Sequence, residues 1–224
     1  MPARELLVFL KAPRTGAVKT RLARDIGDDL AVKVYRALAG AVLDATAPGD
    51  PPAFIRRLCF APGDAGPETA KWLGEENLEP QSEGDLGARM ETAFGHSFAR
   101  GSIRTLIVGT DSIDIDHHSV MSAFEALDRS DVAIREAEDG GYTLIGLKCR
   151  QPSLFQDIDW STPGVLSTTL ARASAAGLSV AKLGPDADID TLDDLRRHWA
   201  RIGPLLDPAL AARIVDKVFS GPPA

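Results

Sequence analysis

A cationic segment near the start of the chain has the residue types of a phosphate-binding loop. Residues 11–24 hold no acidic residue and five cationic ones, Lys11, Arg14, Lys19, Arg21 and Arg24. At the chain average of 25 lysines and arginines in 224 residues, a segment of this length would hold one or two. Gly16 would let the backbone approach a ligand, and the cations would donate hydrogen bonds to phosphate oxygens. The segment predicts a polyphosphate site; an exposed basic loop is the alternative.

An aspartate that follows a buried strand could hold a metal ion. Asp111 comes soon after the apolar run 105–108. Mg²⁺ and Mn²⁺ bind carboxylate and phosphate oxygens together, so an aspartate facing a phosphate loop is a suitable ligand. Asp114 and Asp116 are close enough to assist, although for both of them capping of the helix that follows is an equal alternative. We predict Asp111 as a ligand of Mg²⁺ or Mn²⁺.

A second group of aspartates lies late in the chain. Asp188 and Asp190 flank one isoleucine, so in an extended segment their carboxylates can point the same way. Thr191 has the position of a helix cap, with Asp193 and Asp194 near the positive end of that helix. Asp188 and Asp190 lie outside this capping explanation, and they could reach the metal ion.

The run from Glu138 to Tyr142 supports two interpretations. Asp139-Gly140 between two strands predicts a hairpin turn, which would also explain Gly141. One of the two adjacent carboxylates could instead act as a general base or as a second metal ligand. The residues alone leave both interpretations open.

The stretch 81–90 contains a further candidate contact. Gly84 and Gly87 flank the entry to a predicted helix, where the backbone can approach a ligand closely. Alternatively, the two glycines only shape the turn.

The elements that must position these residues alternate between strands and helices. Strand-like runs occupy residues 6–9, 53–60, 105–108, 132–134, 142–147 and 178–183. Helical patterns occupy 28–47, 67–73, 86–100, 120–127, 167–176 and two terminal helices. This order predicts an α/β fold, a Rossmann-like mixed and mostly parallel sheet with helices on both faces. Ligands bind such sheets at the carboxyl ends of the strands, so the loops after residues 9 and 108 should form the site.

The composition excludes other classes of protein. A net charge of -7 offers no global positive field for nucleic acid or an anionic membrane, and no apolar run is long enough to span a bilayer. No linker divides the chain, so one domain over residues 1–224 is expected. Cys59 and Cys149 are expected to be buried thiols of a reducing compartment, which predicts a cytoplasmic protein. Nothing in the sequence indicates an oligomeric state.

Six segments together resemble a family of small bacterial proteins described as GT-A-like glycosyltransferases, some linked by name to arsenosugar biosynthesis. The segments are, in order, residues 9–22, 81–90, 109–112, 137–142, 158–162 and 188–191. The resemblance covers nearly the whole chain and implies the nucleotide-diphospho-sugar transferase fold. More distantly, the chain is similar to the guanylyltransferases of molybdenum-cofactor and deazaflavin-cofactor synthesis. Two positions depart from the family pattern: Ile113 replaces a proline, and Arg135-Glu136 replaces Gly-Pro.

The residues and the resemblance together predict a metal-dependent transferase that acts on a nucleotide-linked donor. The diphosphate would be held by the first loop, through Lys11, Lys19 and Arg21 with Arg14 and Gly16 beside them. The metal ion would be held by Asp111, helped by Asp188 or Asp190. The base or ribose would lie near Gly84, Asp85, Gly87 and Arg89.

The acceptor would bind near the fourth segment of the resemblance. Asp139, with Glu138 beside it, would be the base or acceptor binder, and the acceptor side would include Gly140, Gly141 and Tyr142. The acceptor would be a small molecule. The predicted reaction is glycosyl transfer from a nucleotide-diphospho-sugar. The alternatives are a nucleotidyltransferase that joins a nucleoside triphosphate to a small phosphorylated acceptor, and a non-catalytic protein that binds nucleotide-sugars.

Overall fold

Apolar runs form the strands of one central sheet. The computed structural model describes residues 4–74 and 77–219. In these ranges the sheet has seven strands: β1 (Arg4–Lys11), β2 (Ile55–Ala61), β3 (Leu78–Pro80), β4 (Arg104–Gly109), β5 (Val132–Ala137), β6 (Tyr142–Leu147) and β7 (Val180–Asp186). Leu6 and Val8 of β1 pack into the core on one face and Leu7 into the core on the other. Because both faces are covered, β1 is a continuous apolar run rather than an alternating one.

The strands are arranged in the order β3-β2-β1-β4-β6-β5-β7. β1 pairs in parallel with β2 and β4, β2 with β3, and β5 with β7. β6 runs antiparallel to both of its neighbours, β4 and β5. The predicted α/β class with a mixed, mostly parallel sheet is therefore confirmed, and the carboxyl ends of β1, β4, β5 and β7 meet at one edge.

Helices cover both faces of the sheet. The described ranges contain α1 (Thr20–Ile26), α2 (Asp28–Ala45), α3 (Gly66–Leu73), α4 (Leu86–Ala99), α5 (His117–Ala126), α6 (Val165–Ala175), α7 (Leu192–Arg197), α8 (Trp199–Ile202) and α9 (Pro208–Phe219). The sequence pattern predicted α2, as a helix over 28–47, but not the short helix α1 before it, and three helices end the chain where two were predicted. α5 begins three residues before the predicted position, because Asp116 rather than Asp114 caps it by accepting from the Ser119 N–H at 2.8 Å.

The C-terminal helices pack on α1 and α2. They share one apolar cluster with Leu22 of α1, Leu38 of α2 and Ile189, all of them almost fully buried. Ile189 separates Asp188 from Asp190, and Leu22 follows Lys19 by three residues. The cluster therefore fixes the backbone on both sides of the predicted phosphate and metal residues.

The two cysteines differ in exposure. Cys59 of β2 is buried, and burial raises the pKa of its thiol. Cys149 is exposed, so the expectation that both thiols are buried is wrong for this residue, which lies in the connection after β6. In the two described ranges, no helix combines the length and the apolar character that crossing a membrane requires.

Gly87 allows close packing at the start of α4. A Cβ atom at this position would lie 2.4 Å from the carbonyl oxygen of Phe155 and 2.7 Å from Cζ2 of Trp160. Gly95 of the same helix has room, since the nearest atom to its Cβ would be Arg150 Nε at 3.5 Å. The glycine at position 87 is thus required by helix packing.

These two glycines provide a matched test of the packing. Gly87→Ala should lower the free energy of unfolding by about 1–3 kcal/mol, because an added methyl group overpacks a filled space. Gly95→Ala should raise it by up to about 1 kcal/mol, because alanine is the better helix former. Urea denaturation measures both values. Equal effects of the two substitutions would contradict the packing described for Gly87.

Candidate functional site

A cleft of about 460 Å³ opens at the carboxyl ends of β1, β4, β5 and β7. This volume is typical of sites for small molecules. The cleft is lined by ten residues that the sequence predicted for the site, Lys11, Lys19, Arg21, Arg89, Asp111, Asp139, Gly141, Tyr142, Asp188 and Asp190. The fold therefore brings together residues from segments that are far apart in the sequence.

Lys19 lies at the centre of the charged part of the cleft. Its Nζ atom lies 2.5 Å from Asp111 Oδ1 and 3.0 Å from Asp190 Oδ1, and its side chain is only 2% exposed. Burial opposes the charge of this lysine, but the carboxylates of Asp111 and Asp190 outweigh burial and raise its pKa. Lys19 therefore carries a buried positive charge held between two carboxylates.

The backbone of Lys19 is also unusual. It is the N-cap residue of α1, with φ 48° and ψ 42° in the left-handed region. A residue with a side chain adopts this conformation at a cost, which the surrounding contacts must offset. Here the conformation directs the lysine into the cleft at the start of the helix.

Four carboxylates face the cleft, and Lys19 contacts two of them. Asp188 has a pKa raised to about 6, first by burial and then by the negative charges of Asp139 and Asp190. Carboxylate oxygens are the ligands that Mg²⁺ and Mn²⁺ prefer, so this part of the cleft fits a divalent cation chemically. Within the described ranges, no three His, Cys, Asp or Glu side chains are already spaced to hold a metal ion. The ammonium of Lys19 is the cation that Asp111 and Asp190 share.

Backbone pairing joins the two loops that carry these aspartates. Ser112 forms an antiparallel bridge with Asp188, and the Ile189 N–H donates to Asp111 O at 3.1 Å. The Ile113 N–H donates to Ala187 O at 3.4 Å, a bond that a proline could not make. The departure from the family pattern at position 113 therefore adds a link between the loops.

Buried Asp186 ties the same loops together through its side chain. Its Oδ2 atom accepts from Ser112 Oγ at 2.6 Å, Thr143 Oγ1 at 2.7 Å and Arg135 Nε at 3.2 Å. Burial is the main influence on this carboxyl and raises its pKa. Neither Asp186 nor Arg135 was predicted for the site. Arg135 stood out in the sequence only as a departure from the family pattern, whereas the structure pairs it with Asp186.

Tyr35 and Gln81 were not predicted for the site, but each of them holds a predicted site residue in place. Tyr35 of α2 fixes the end of β1, since its hydroxyl accepts from the Lys11 N–H at 2.8 Å and donates to Lys11 O at 2.9 Å. Burial is the main cause that raises the pKa of Tyr35 to about 12, so it stays protonated. Gln81 Oε1 accepts from Arg89 Nη1 at 3.0 Å, while Gln81 Nε2 donates to Cys59 O at 2.7 Å. Gln81 lies in the stretch 81–90 that resembles the family, and this resemblance was the signal that could have identified it as a site residue.

Two charged residues predicted for the site have partners elsewhere. Arg14 donates to Glu68 Oε1 at 2.6 Å and to Asp64 Oδ1 at 3.2 Å. Glu138 Oε2 accepts from Arg197 Nη1 at 3.4 Å. Neither side chain lines the cleft, so the structure gives neither of them contact with a ligand bound there.

Three glycines and one aspartate that were predicted for the site have roles in turns and in helix capping. Gly16, Gly84 and Gly140 have positive φ angles of 77°, 108° and 90°, which glycine adopts most readily. Asp85 is the N-cap of α4 and accepts from the Ala88 N–H at 2.8 Å. None of the four lines the cleft. The positive φ of Gly84 and the close packing of Gly87 are consistent with the interpretation that both glycines shape the entry to α4, and contact with a ligand stays a prediction.

The position of Asp139 fits both interpretations of its motif, a hairpin turn and a carboxylate that acts in the site. Its Oδ1 atom accepts from the Gly141 N–H at 3.0 Å, so it stabilises the turn between β5 and β6, and it also lines the cleft. Gly140 packs against Pro163, where an added Cβ would lie 2.3 Å from Pro163 O. The Leu166 N–H donates to Gly140 O at 2.9 Å. The turn and the segment around Pro163 thus form one wall of the cleft.

Comparison with known proteins identifies the family and the fold of the chain. Residues 42–162 match the family described as "Uncharacterized protein conserved in bacteria (DUF2064)". The crystal structure of a candidate nucleotide-diphospho-sugar transferase from Desulfovibrio desulfuricans G20 aligns with a TM-score of 0.87 and 31% identity, over 98% of each chain. No curated protein matches the sequence. The fold implied by the resemblance, that of nucleotide-diphospho-sugar transferases, is confirmed.

Two more distant structures share the fold alone. Rv0371c from Mycobacterium tuberculosis H37Rv, in complex with manganese, aligns with a TM-score of 0.52 and 16% identity over 87% of this chain and 96% of its own. A CMP:2-keto-3-deoxy-manno-octonic acid synthetase complexed with CTP aligns with a TM-score of 0.56 and 10% identity, over 91% of this chain and 99% of its own.

Asp188 is predicted to titrate near pH 6, because it is partly buried beside the carboxylates of Asp139 and Asp190. Asp139→Asn removes one of the negative charges that raise the pKa of Asp188, so the variant should lower this pKa from about 6. Asp157→Asn, at a side chain that is 92% exposed, should leave it unchanged. ¹³C NMR titration of the carboxyl groups in metal-free buffer measures both. The same pKa in the Asp139 variant as in wild type would contradict the placement of these carboxylates.

The raised pKa also fixes the sign of the effect on stability. The folded protein binds the Asp188 proton more tightly than the unfolded chain does, so this carboxyl favours folding at low pH. Its contribution is fully present below about pH 4 and is lost as the pH rises through about 6.

Proposed function

The chain belongs to the DUF2064 family of bacterial proteins, and we propose that it is a transferase that moves a glycosyl group from a nucleotide-diphospho-sugar to an acceptor hydroxyl. The observation that supports this most strongly is the convergence of four cationic and four acidic side chains on one cleft, Lys11, Lys19, Arg21, Arg89, Asp111, Asp139, Asp188 and Asp190. The 31%-identical relative from Desulfovibrio, described as a candidate nucleotide-diphospho-sugar transferase, supports the same class of donor.

The donor would bind along the wall formed by the β1–α1 segment and α4. Lys11, Lys19 and Arg21 would donate to the two phosphate groups, because ammonium and guanidinium groups make strong hydrogen bonds with phosphate oxygens. Arg89, held by Gln81, would contact the ribose or the base.

A divalent metal ion would be held by Asp111 and Asp190, with Asp188 beside them. The fit rests on the two carboxylates that already share one cation, the ammonium of Lys19. When bound, such an ion supplies positive charge that stabilises the departing diphosphate. Lys19 would then contact the donor phosphates.

Asp139 would act as the general base on the acceptor. In the transfer, the acceptor oxygen forms a bond to the anomeric carbon while the bond between that carbon and the diphosphate oxygen breaks. The hydroxyl proton would pass to the carboxylate of Asp139, whose other oxygen is already held by the Gly141 N–H.

A second candidate function is nucleotidyl transfer from a nucleoside triphosphate. It is favoured by the fold shared with a CTP-complexed synthetase. In that reaction the bond that breaks lies between the α and β phosphates, so pyrophosphate is released instead of a nucleoside diphosphate. Incubation with UDP- and GDP-sugars, or with nucleoside triphosphates, followed by detection of the released product, separates the two. Release of either product would exclude a protein that only binds nucleotide-sugars.

Donor binding should depend on Arg21 and not on Arg14. Arg21→Ala should weaken nucleoside diphosphate binding by about 1.5–3 kcal/mol, the range for a hydrogen bond to a charged group. This corresponds to roughly a 10- to 150-fold higher Kd. Arg14→Ala removes the same charge outside the cleft, so it should change Kd little. Titration calorimetry with UDP and GDP measures both variants. Equal losses would indicate a general electrostatic effect and contradict a specific contact.

Donor binding should also require a divalent metal ion. The diphosphate and the cleft carboxylates repel each other, so a cation must lie between them. EDTA should weaken nucleoside diphosphate binding to wild type, and Mn²⁺ should restore it. Asp111→Asn should abolish this metal-dependent gain, whereas Asp64→Asn, outside the cleft, should keep it. A thermal-shift titration with and without Mn²⁺ provides the measurement. Wild-type binding that EDTA leaves unchanged would rule out the metal role.

A further inference from the structure

We propose that the acceptor is an uncharged, hydroxyl-bearing molecule and not a phosphorylated one. This inference rests on the proposed function and adds the chemical class of the second substrate. It comes from the uneven distribution of charge between the two walls of the cleft. The donor wall is formed by the β1–α1 segment and α4, and the acceptor wall by residues 137–143 and 160–165.

The donor wall supplies every cation among the described residues that line the cleft. Lys11, Lys19 and Arg21 come from the end of β1 and the segment after it, and Arg89 comes from α4. Of these, Lys19 is already engaged by Asp111 and Asp190, and Arg21 Nη1 lies 3.8 Å from Asp190 Oδ2. The positive charge of the cleft is therefore concentrated where the diphosphate of the donor would lie.

The acceptor wall differs from the donor wall in its charge. The described residues of this wall that line the cleft include Asp139, four hydroxyl-bearing side chains and apolar or aromatic groups, but no lysine, arginine or histidine. Two arginines near this wall are engaged elsewhere. Arg135 is paired with buried Asp186, and Arg197 is paired with Glu138 and Asp194.

A charge balance of the loaded cleft leads to the same class of acceptor. The four cationic and four acidic side chains that line the cleft cancel formally. A nucleotide-diphospho-sugar carries two negative charges on its diphosphate, which one divalent metal ion neutralises. A phosphorylated acceptor would add about two further charges next to Asp139, with no cation on that wall to accept them.

An uncharged acceptor suits the same wall. Hydroxyl groups donate hydrogen bonds to carboxylates, so Asp139 can orient an acceptor hydroxyl before it takes the proton. The wall is also closely packed. Gly140 packs on Pro163, and the Trp160 ring lies against Gly87 of α4. A preformed wall of apolar surface with a few fixed polar groups is typical of a site for an uncharged small molecule.

Inorganic phosphate is a direct probe of the acceptor wall. The protein is first loaded with Mg²⁺, which is diamagnetic, and a nucleoside diphosphate, which occupies the donor wall, and phosphate binding is then measured by ³¹P NMR. Wild type should show no saturable binding of phosphate. Ser161→Lys, at an exposed position of the acceptor wall, should bind phosphate at least about tenfold more tightly, because it supplies the missing cation. Ser153→Lys adds the same charge outside the cleft and should behave as wild type.

Matched acceptor pairs extend the test to turnover. Release of nucleoside diphosphate from the donor is followed with glycerol against glycerol 3-phosphate, and with glucose against glucose 6-phosphate. The phosphorylated member should give a kcat/KM at least about tenfold below that of the uncharged member, since like charges beside Asp139 disfavour binding. Saturable phosphate binding to loaded wild type, or a phosphorylated acceptor that matches its partner, would overturn the proposal. Failure of the protein to bind Mn²⁺ and nucleoside diphosphate at all would instead refute the proposed function.

Discussion

The ion pairs of Lys19 organise the candidate site. A buried ammonium is stable only when carboxylates and hydrogen bonds replace its lost water, and here Asp111 and Asp190 supply them. Those carboxylates belong to the loops after β4 and β7, whereas Lys19 belongs to the segment after β1. One cation therefore joins three connections of the sheet that lie up to 171 residues apart in sequence. The left-handed backbone of Lys19 is tolerated because this arrangement holds it.

A second set of contacts keeps the acidic loops at a fixed separation. Asp186 binds Ser112 and Thr143, and the backbone of Ile189 bonds to Asp111. Removing such a buried carboxyl would leave its hydroxyl and guanidinium partners unsatisfied, which costs more than the bonds themselves contribute. The apolar cluster around Ile189 and the C-terminal helices adds support from the other side. The carboxylates are thus held near each other although they repel, and the raised pKa of Asp188 reflects that repulsion.

The sequence predicted the fold class and the eight charged residues that line the cleft in the described ranges, because strand order places the carboxyl ends of parallel strands together. It could not tell which cation of the first loop faces inwards. Arg14 and Arg21 look equivalent in the sequence, yet Arg14 pairs with Glu68 and Asp64, which belong to a part of the chain about 50 residues away. Asp186 was missed for a related reason, since its partners Ser112, Thr143 and Arg135 come from other strands. Gly87 was assigned to ligand contact because nothing local reveals the Trp160 ring that packs on it.

The position of Lys19 has a consequence for the order of events at the site. Its ammonium is attached to the chain, so it faces Asp111 and Asp190 at an effective concentration that few free ions in solution reach. In the proposed function, a metal ion that arrives alone would have to compete with this tethered group. A metal ion that arrives with a diphosphate would give the lysine a new anionic partner, which would relieve the competition. The ion pairs of Lys19 would thereby favour the metal ion and the nucleotide as a joint ligand over cations that arrive alone.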